Sequence, residues 1–261
     1  MRINQRLTAK QKIRKMKENK DFIFGIRAVI EAVKSGKQID KLMIRSGLKG
    51  ELIFELMGLV KELNIPVQYV PNERINRVTM KNHQGVLAFI SPIEFQNIEN
   101  ILPMLFDRGE NPFFIVLDKI TDVRNFGAIT RTAECAGVDA IIIPEKGSAQ
   151  ISADAVKTSA GALLKIPVCR VRNLSKTLKY LQESGIQLVA ATEKAKENYY
   201  STDFTSPTAI VMGSEDTGID MELLRTVDKM VKIPIMGEID SLNVSVAAGI
   251  LMYEVVKQRL R

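Results

Sequence analysis

The run Phe113–Leu117 (FFIVL) constrains this chain more than any other stretch of its sequence. Five apolar residues in succession leave no polar face, so a strand built from them has to be covered on both sides. Strands buried in that way belong to parallel sheets whose crossover helices lie on each face. Similar apolar runs recur at Ala140–Ile143, Val168–Val171, Gln187–Ala191, Ala209–Met212 and Val231–Ile233. Between them the spacing turns helical. One helix contains Ile129, Ala133 and Ala136 and stops at Gly137, and another covers Ser152–Leu164. A third runs through Leu174, Leu178 and Leu181 to Gly185, and a short one holds Leu223. From Pro112 onward the chain reads as an α/β domain with a parallel sheet covered on both faces.

The residues before it carry a different pattern. Phe24–Val33 has helical spacing closed by Gly36, and Leu52, Leu56, Leu59 and Leu63 mark a helix from Glu51 to Leu63. Lys41–Ile44, Val67–Val70 and Gly85–Ile90 read as strands, which makes residues 21–91 a small α/β domain. Residues 92–111 hold two prolines, a short apolar piece and a polar end, and are expected to be a linker to residues 112–261. His83, the only histidine, stands in Asn82-His83-Gln84-Gly85. A turn bonded to its own backbone is the default there, and an RNA-contacting loop is the alternative.

Charge is informative once it is located. The chain has 37 Lys/Arg and 30 Asp/Glu, and residues 1–20 alone carry eight basic residues and one acid. The other residues hold 29 of each sign, so the net charge of +7 is that of an N-terminal arm. A lysine-rich arm with few apolar residues is expected to be disordered alone and to follow phosphates when a nucleic acid is present. A solubilising extension is the plain alternative. No apolar run approaches the 18 residues of a membrane span, and the two cysteines, Cys135 and Cys169, have no C-x-x-C partner. These features suggest a cytoplasmic, metal-free protein with no membrane association.

In open α/β sheets, ligands gather at the carboxyl ends of the strands. Three loops in such positions combine glycine, which lets backbone approach a ligand, with polar side chains. They are Asn125-x-Gly127-x-x-x-Arg131, the stretch Met212-Gly213-Ser214-Glu215-Asp216-Thr217-Gly218, and Ile233-Pro234 through Ser241-Leu242-Asn243-Val244-Ser245. Ser241 and Asn243 are helix-capping residue types ahead of a helix with a small face at Ala247, Ala248 and Gly249. A phosphate-cradling G-x-x-x-x-G-K-[ST] loop and a dinucleotide G-x-G-x-x-G are both absent, and a lone histidine in the other domain leaves no hydrolytic triad.

In order and spacing, the three loops are similar to the three motifs of the SpoU branch of the SPOUT methyltransferases. The likeness is carried by N-F-G-A-I-T-R, V-M-G-S-E-D-T-G and I-P-I…S-L-N-V-S-V-A. The segment Phe24–Phe89 resembles that family's ribosomal-protein-like substrate-binding domain, and the two domains in this order resemble the bacterial enzymes that methylate a guanosine 2'-hydroxyl of 23S ribosomal RNA. The resemblance implies S-adenosyl-L-methionine as cofactor, RNA (ribosomal RNA first) as substrate, a homodimer, and a C-terminal segment tucked through a loop as a deep trefoil knot. It implies Gly213, Ile233, Leu242 and Ser241 at the cofactor, and Asn125, Arg131, Glu215, Asn243 and Ser245 around the reacting groups. A transfer RNA ribose methyltransferase, or a non-catalytic RNA-binding protein that kept the fold, are the alternatives it leaves.

Each residue also has a bland reading. Asn125 alone would be an N-cap, Arg131 a solvated helix residue, and Asn243 with Ser245 a cap on the last helix. Cys135 is expected to be a buried small hydrophobe. A guanidinium with a pKa above about 12 is a poor base, so Arg131 is better suited to stabilising an oxyanion than to taking a proton. Glu215 is then the candidate proton acceptor, or else orients Arg131 or Asn125.

Overall fold

The computed structural model of the protein describes residues 22–260 and divides at Pro92 into two compact units. The basic arm, residues 1–20, lies outside the described residues.

The N-terminal unit has the order β1 (Phe22–Phe24), α1 (Ile26–Lys34), β2 (Ile39–Arg45), α2 (Glu51–Glu62), β3 (Val67–Val70), α3 (Asn72–Asn76) and β4 (Val86–Ile90). Its sheet runs β1-β4-β2-β3, antiparallel at β1/β4 and β2/β4 and parallel at β2/β3. Alternation along the strands sends Leu42, Ile44, Val86 and Ala88 into a core with Val29, Ile30, Val33, Leu56 and Val60 of α1 and α2. Gly36, at φ +80°, closes α1 as its sequence position suggests.

The turn at His83 takes its plain reading. The buried ring accepts the Gly85 N–H at Nδ1 (2.9 Å), which leaves Nε2 to donate to Asn76 Oδ1 at 2.8 Å. Burial, with Arg45 nearby, holds its pKa below the ordinary 6.5.

The C-terminal unit opens with α4 (Ile98–Asp107), inside the stretch expected to be a linker. Asn97 caps this helix by accepting the Glu99 N–H at 3.0 Å. Ile98, Ile101, Leu102 and Leu105 are buried at helical spacing against the sheet, so the segment is part of the core. Pro103 and the polar tail hid it; one proline within three turns removes a single backbone donor.

There follow β5 (Phe113–Leu117), α5 (Val123–Cys135), β6 (Ala140–Pro144), α6 (Ala153–Thr158), β7 (Val168–Val171), α7 (Leu174–Glu183), β8 (Gln187–Ala191), β9 (Glu197–Asn198), β10 (Thr208–Met212), α8 (Met221–Leu224), β11 (Lys229–Lys232) and α9 (Val244–Arg259). The helix expected over Ser152–Leu164 is broken. After α6 the chain passes through left-handed backbone at Ala160 (φ +51°) and Gly161 (φ +86°) before a 3-10 turn at Ala162–Leu164.

All seven strands pair in parallel, in the order β7-β6-β5-β10-β8-β11-β9. Every residue of β5 is buried, and its two faces feed two cores. Phe113, Ile115 and Leu117 join Phe126 and Ile129 of α5 and Leu251, Met252 and Val255 of α9. Phe114 and Val116 join α4 and α7. From β5 the chain first builds outward to β6 and β7; β10 closes against its other edge, with β8, β11 and β9 beyond. The β5/β10 pair is therefore the point where the strand order reverses, and the loops leaving these two strands flank the crevice where open sheets bind ligands.

Candidate active site

The loop leaving β5 is stitched to the loop leaving β10. Asp118, 4% exposed, donates its N–H to Met212 O at 2.8 Å and accepts the Asp220 N–H at Oδ2, also at 2.8 Å. Burial raises its pKa above the ordinary carboxylate value, against the pull of that N–H. Lys119 closes the same junction with an ion pair to Asp220 at 2.9 Å. Asp118 was not among the candidates from sequence, although FFIVL-Asp places a carboxylate at the carboxyl end of the most buried strand.

Asp122 caps α5, its Oδ1 accepting the N–H groups of Arg124 and Asn125, both at 2.8 Å. Asn125 is thus in the first turn rather than at the cap, and its side chain is released for longer-range contacts. Its Nδ2 donates to Glu215 Oε1 at 3.3 Å. Asn243 Nδ2 donates to the same Glu215 oxygen at 2.6 Å and to Asn125 Oδ1 at 3.0 Å. The Val244 N–H gives Glu215 Oε1 a further donor at 3.0 Å. Asn243 is also the N-cap of α9: its Oδ1 accepts the Ser245 N–H at 3.0 Å and the Ser245 hydroxyl. Ser241, the other capping type, lies outside the helix and is exposed. The fold therefore joins Asn125, Glu215, Asn243 and Ser245 in one hydrogen-bonded group drawn from all three loops.

Glycine has two different uses in these loops. A Cβ on Gly213 would collide with the main chain of Gly218 and Ile219, because the loop folds back through Gly218 N–H to Ser214 O at 2.9 Å. Gly127 faces the protein rather than a ligand: a Cβ there would meet the Thr158 side chain of α6, with Thr158 Cβ at 2.6 Å. Gly249 has room, since its Cβ would come no closer than 3.7 Å to Thr132 Cγ2 of α5.

Beside the junction lies a cleft of about 380 Å³. Gly213, Ile233, Ser241 and Leu242 all line it, with Glu215 on its wall and Met212 and Val244 at its apolar side. Glu193, Asp216 and Asp240 also line it, and sequence reasoning did not single them out. Among the described residues the main chain from Ile235 to Leu242 makes no backbone–backbone hydrogen bond, so its polar groups are available to a ligand.

Arg131 is not joined to this group. It lies on α5 about 9 Å beyond Asn125 and about 240° round the helix axis. It is exposed, has no side-chain hydrogen bond or ion pair among the described residues, and does not line the cleft. Cys135, one turn further on, is exposed too and not buried as expected; Cys169 is the buried thiol, its pKa pushed up to about 12 by burial. Among the described residues there is no group of three His, Cys, Asp or Glu able to hold a metal, and no helix long and apolar enough to cross a membrane.

Comparison with known proteins gives consistent findings. Residues 112–253 match the SpoU rRNA Methylase family, and residues 22–96 match the RNA 2'-O ribose methyltransferase substrate binding family. A Bacillus subtilis protein assigned by name to the TrmH family of tRNA/rRNA methyltransferases is 36% identical over 245 residues, covering 94% of this chain and 98% of its own length. An AdoMet-bound rRNA methyltransferase from Sinorhizobium meliloti superposes with a TM-score of 0.60 at 25% identity, over 97% of this chain and 93% of that one. The A. aeolicus TrmH/SpoU tRNA modifying enzyme reaches a TM-score of 0.53 at 31% identity, over 62% of this chain and 84% of its own.

Proposed function

The chain belongs to the SpoU rRNA methylase family of RNA methyltransferases, and from that premise we propose that it transfers a methyl group from S-adenosyl-L-methionine to a ribose 2'-hydroxyl, most readily in ribosomal RNA. The observation that carries this reading is the meeting of Asn125, Glu215 and Asn243 in one hydrogen-bonded group, with Glu215 on the wall of the cleft.

The cleft fits the cofactor on its own chemistry. About 380 Å³ falls in the usual range for small-ligand sites. The main-chain groups of Ile235 and of Asp240 to Leu242, which have no backbone partner among the described residues, can read the polar edge of an adenine, while Ile233, Leu242 and Val244 supply apolar contact. Glu193, Glu215, Asp216 and Asp240 outweigh Lys194 on the cleft's lining and favour a ligand bearing positive charge. Gly213 keeps its wall free of side-chain bulk. When bound, the cofactor supplies a methyl group already activated by its sulfonium.

The 2'-hydroxyl is the weak partner, so the protein has to align it and assist loss of its proton. Asn243 and Asn125 fix Glu215 through Oε1, which leaves Oε2 to accept a proton directly or through water. Ser245 shares Asn243 Oδ1 and holds the amide that donates into this group. Arg131, exposed and with no side-chain partner among the described residues, is free to hold an RNA phosphate. Lying about 9 Å along α5 from Asn125 and on another side of the helix, it stabilises the developing 2'-oxyanion only where the bound RNA or a second copy brings the two together.

The same reading takes Ile233–Val256 as the threaded end of a deep trefoil knot and the working form as a cytoplasmic homodimer. The outward side of α9 supports a dimer, because Val246 and Tyr253 are exposed at seven-residue spacing on one helix face, with exposed Leu260 at the C-cap beyond them. Incubation with methyl-labelled cofactor and separate ribosomal and transfer RNA pools, followed by mapping of 2'-O-methylation, tests it. Label in ribosomal RNA at a 2'-oxygen is expected; label confined to transfer RNA moves the substrate, and base methylation ends the ribose reading.

A further inference from the structure

The sheet of the N-terminal unit has a second face, opposite α1 and α2, that no role assigned above uses. Register places Phe22 opposite Phe89 and Phe89 opposite Lys41, so three neighbouring strands present one row across it. The Phe22 and Phe89 rings meet nearly edge-on at 6.4 Å, and Phe24 lies 6.3 Å from Phe22. Lys41 Nζ stands 5.7 Å from the Phe89 ring centre, and Lys81 Nζ stands 5.8 Å from that of Phe24. The inner part of this face is closed, with Met43, Val70 and Leu87 buried beside Ile75 of α3. The outer row is open: the three phenylalanines are only partly buried, and Lys81 is exposed.

Three rings flanked by two ammonium groups suit a ligand that alternates flat apolar faces with negative charge. Single-stranded RNA is such a ligand, since its unstacked bases lie on aromatic rings and its phosphates take the cations. Charge separates this occupant from the nearest other one. The arm that ends just before Phe22 carries a net +7 and would be repelled by Lys41 and Lys81, whereas a polyanion is attracted by all of them. We infer that Phe22, Phe24 and Phe89, with Lys41 and Lys81, form a stacking platform for unpaired nucleotides of the RNA substrate. The inference rests on the RNA-methyltransferase reading and adds to it where, and in what form, the RNA is held.

The test uses the full-length protein, a labelled single-stranded oligoribonucleotide, a duplex of the same length, and S-adenosylmethionine uptake by calorimetry on the same samples. The double variant Phe22→Leu/Phe89→Leu keeps apolar bulk but removes two ring faces. It is expected to weaken single-strand binding by about 5- to 150-fold for each stack lost while duplex binding and cofactor uptake hold. Lys41→Gln/Lys81→Gln is expected to flatten the slope of log affinity against log salt by about 1.4 on single strands. Wild-type single-strand affinity in the leucine variant, or an equal loss on duplex and single strand, overturns the platform. Cofactor uptake by the unaltered protein without single-strand binding also overturns it but leaves the methyltransferase reading standing. Ring-dependent RNA binding without cofactor uptake does the reverse.

Discussion

Asn243 Nδ2 lies 3.0 Å from Asn125 Oδ1, although 118 residues separate them in the chain. The contact sets the cap of the last helix against the first turn of α5, and Glu215 Oε1 locks the pair from the third loop. Asn125, Glu215 and Asn243 thus each bond the other two and close a triangle across the three loops, with Glu215 its one charged member. Hydrogen bonds to a charged group are worth more than neutral ones, though exposure reduces the gain here.

Glu215→Ala removes the acceptor of the Val244 N–H and of Asn125 Nδ2, and leaves the Asn243 amide only Asn125 Oδ1. The expected cost is about 1–2 kcal/mol of stability and, through misalignment, about 100-fold in methyl-transfer rate. Glu215→Gln keeps one carbonyl acceptor and should recover most of the stability but little of the rate if Oε2 takes the proton. Thermal melts beside single-turnover transfer separate these outcomes, and full activity in the glutamine variant would reduce Glu215 to an alignment role.

Arg131→Ala is expected to slow transfer by roughly two to four orders of magnitude, the range for a proton-transfer or oxyanion group. Because Arg131 does not line the cleft, cofactor affinity should hardly change. Arg131→Lys should restore little, since an ammonium lacks the planar donor fork that grips a phosphate. Calorimetry with the cofactor alone, alongside kcat on RNA, reads both; near-normal turnover in the alanine variant would remove Arg131 from the mechanism.

The glycines predict opposite outcomes for the same substitution. Gly127→Ala drives a methyl into Thr158 at the α5–α6 contact, which should cost about 1–3 kcal/mol. Gly249→Ala meets only Thr132 Cγ2 at 3.7 Å and gains helix propensity, so the chain should be stabilised by up to about 1 kcal/mol. If Gly249 also packs against a second copy, the stabilised chain will dimerise less well. Denaturant melts and sedimentation on the two variants distinguish these effects.

Continuous apolar runs make most of the strands legible, whereas β1 and β9 are too short to stand out, and Phe24, read with the following helix, belongs to β1. FFIVL and VCRV have the structure's own limits, set by polar or proline residues at each end. What escaped depended on information that local sequence does not carry. α4 reads as a linker in the sequence because Pro103 and a polar tail outweigh Ile98, Ile101, Leu102 and Leu105, whose burial comes from a sheet built later in the chain. Ser152–Leu164 kept helical spacing across a left-handed break at Ala160 and Gly161 that spacing alone does not register. Asn125, Glu215, Asn243 and Ser245 stand out in the sequence, yet the junction that joins them and leaves Arg131 outside it does not, since Asn125 and Glu215 are 90 residues apart and meet only where the strand order reverses.

His83 gives the N-terminal unit a pH dependence of known sign. Its pKa lies below 6.5 in the folded chain, chiefly because it is buried, with Arg45 adding to the shift. The unfolded chain therefore takes up the proton first as pH falls, and stability is lost between about 6.5 and the lower folded value. Protonation also destroys the Nδ1 acceptor of the Gly85 N–H, in the turn that leads into β4. Lowering the pH from about 7.5 to 5.5 is expected to destabilise this unit, with the Gly85 amide shift and the His83 ring titrating together by NMR. His83→Gln should remove that slope. An unchanged slope in the variant would place the titrating group elsewhere, whereas a ring pKa above 6.5 would reverse the sign and show that the buried imidazole is held charged.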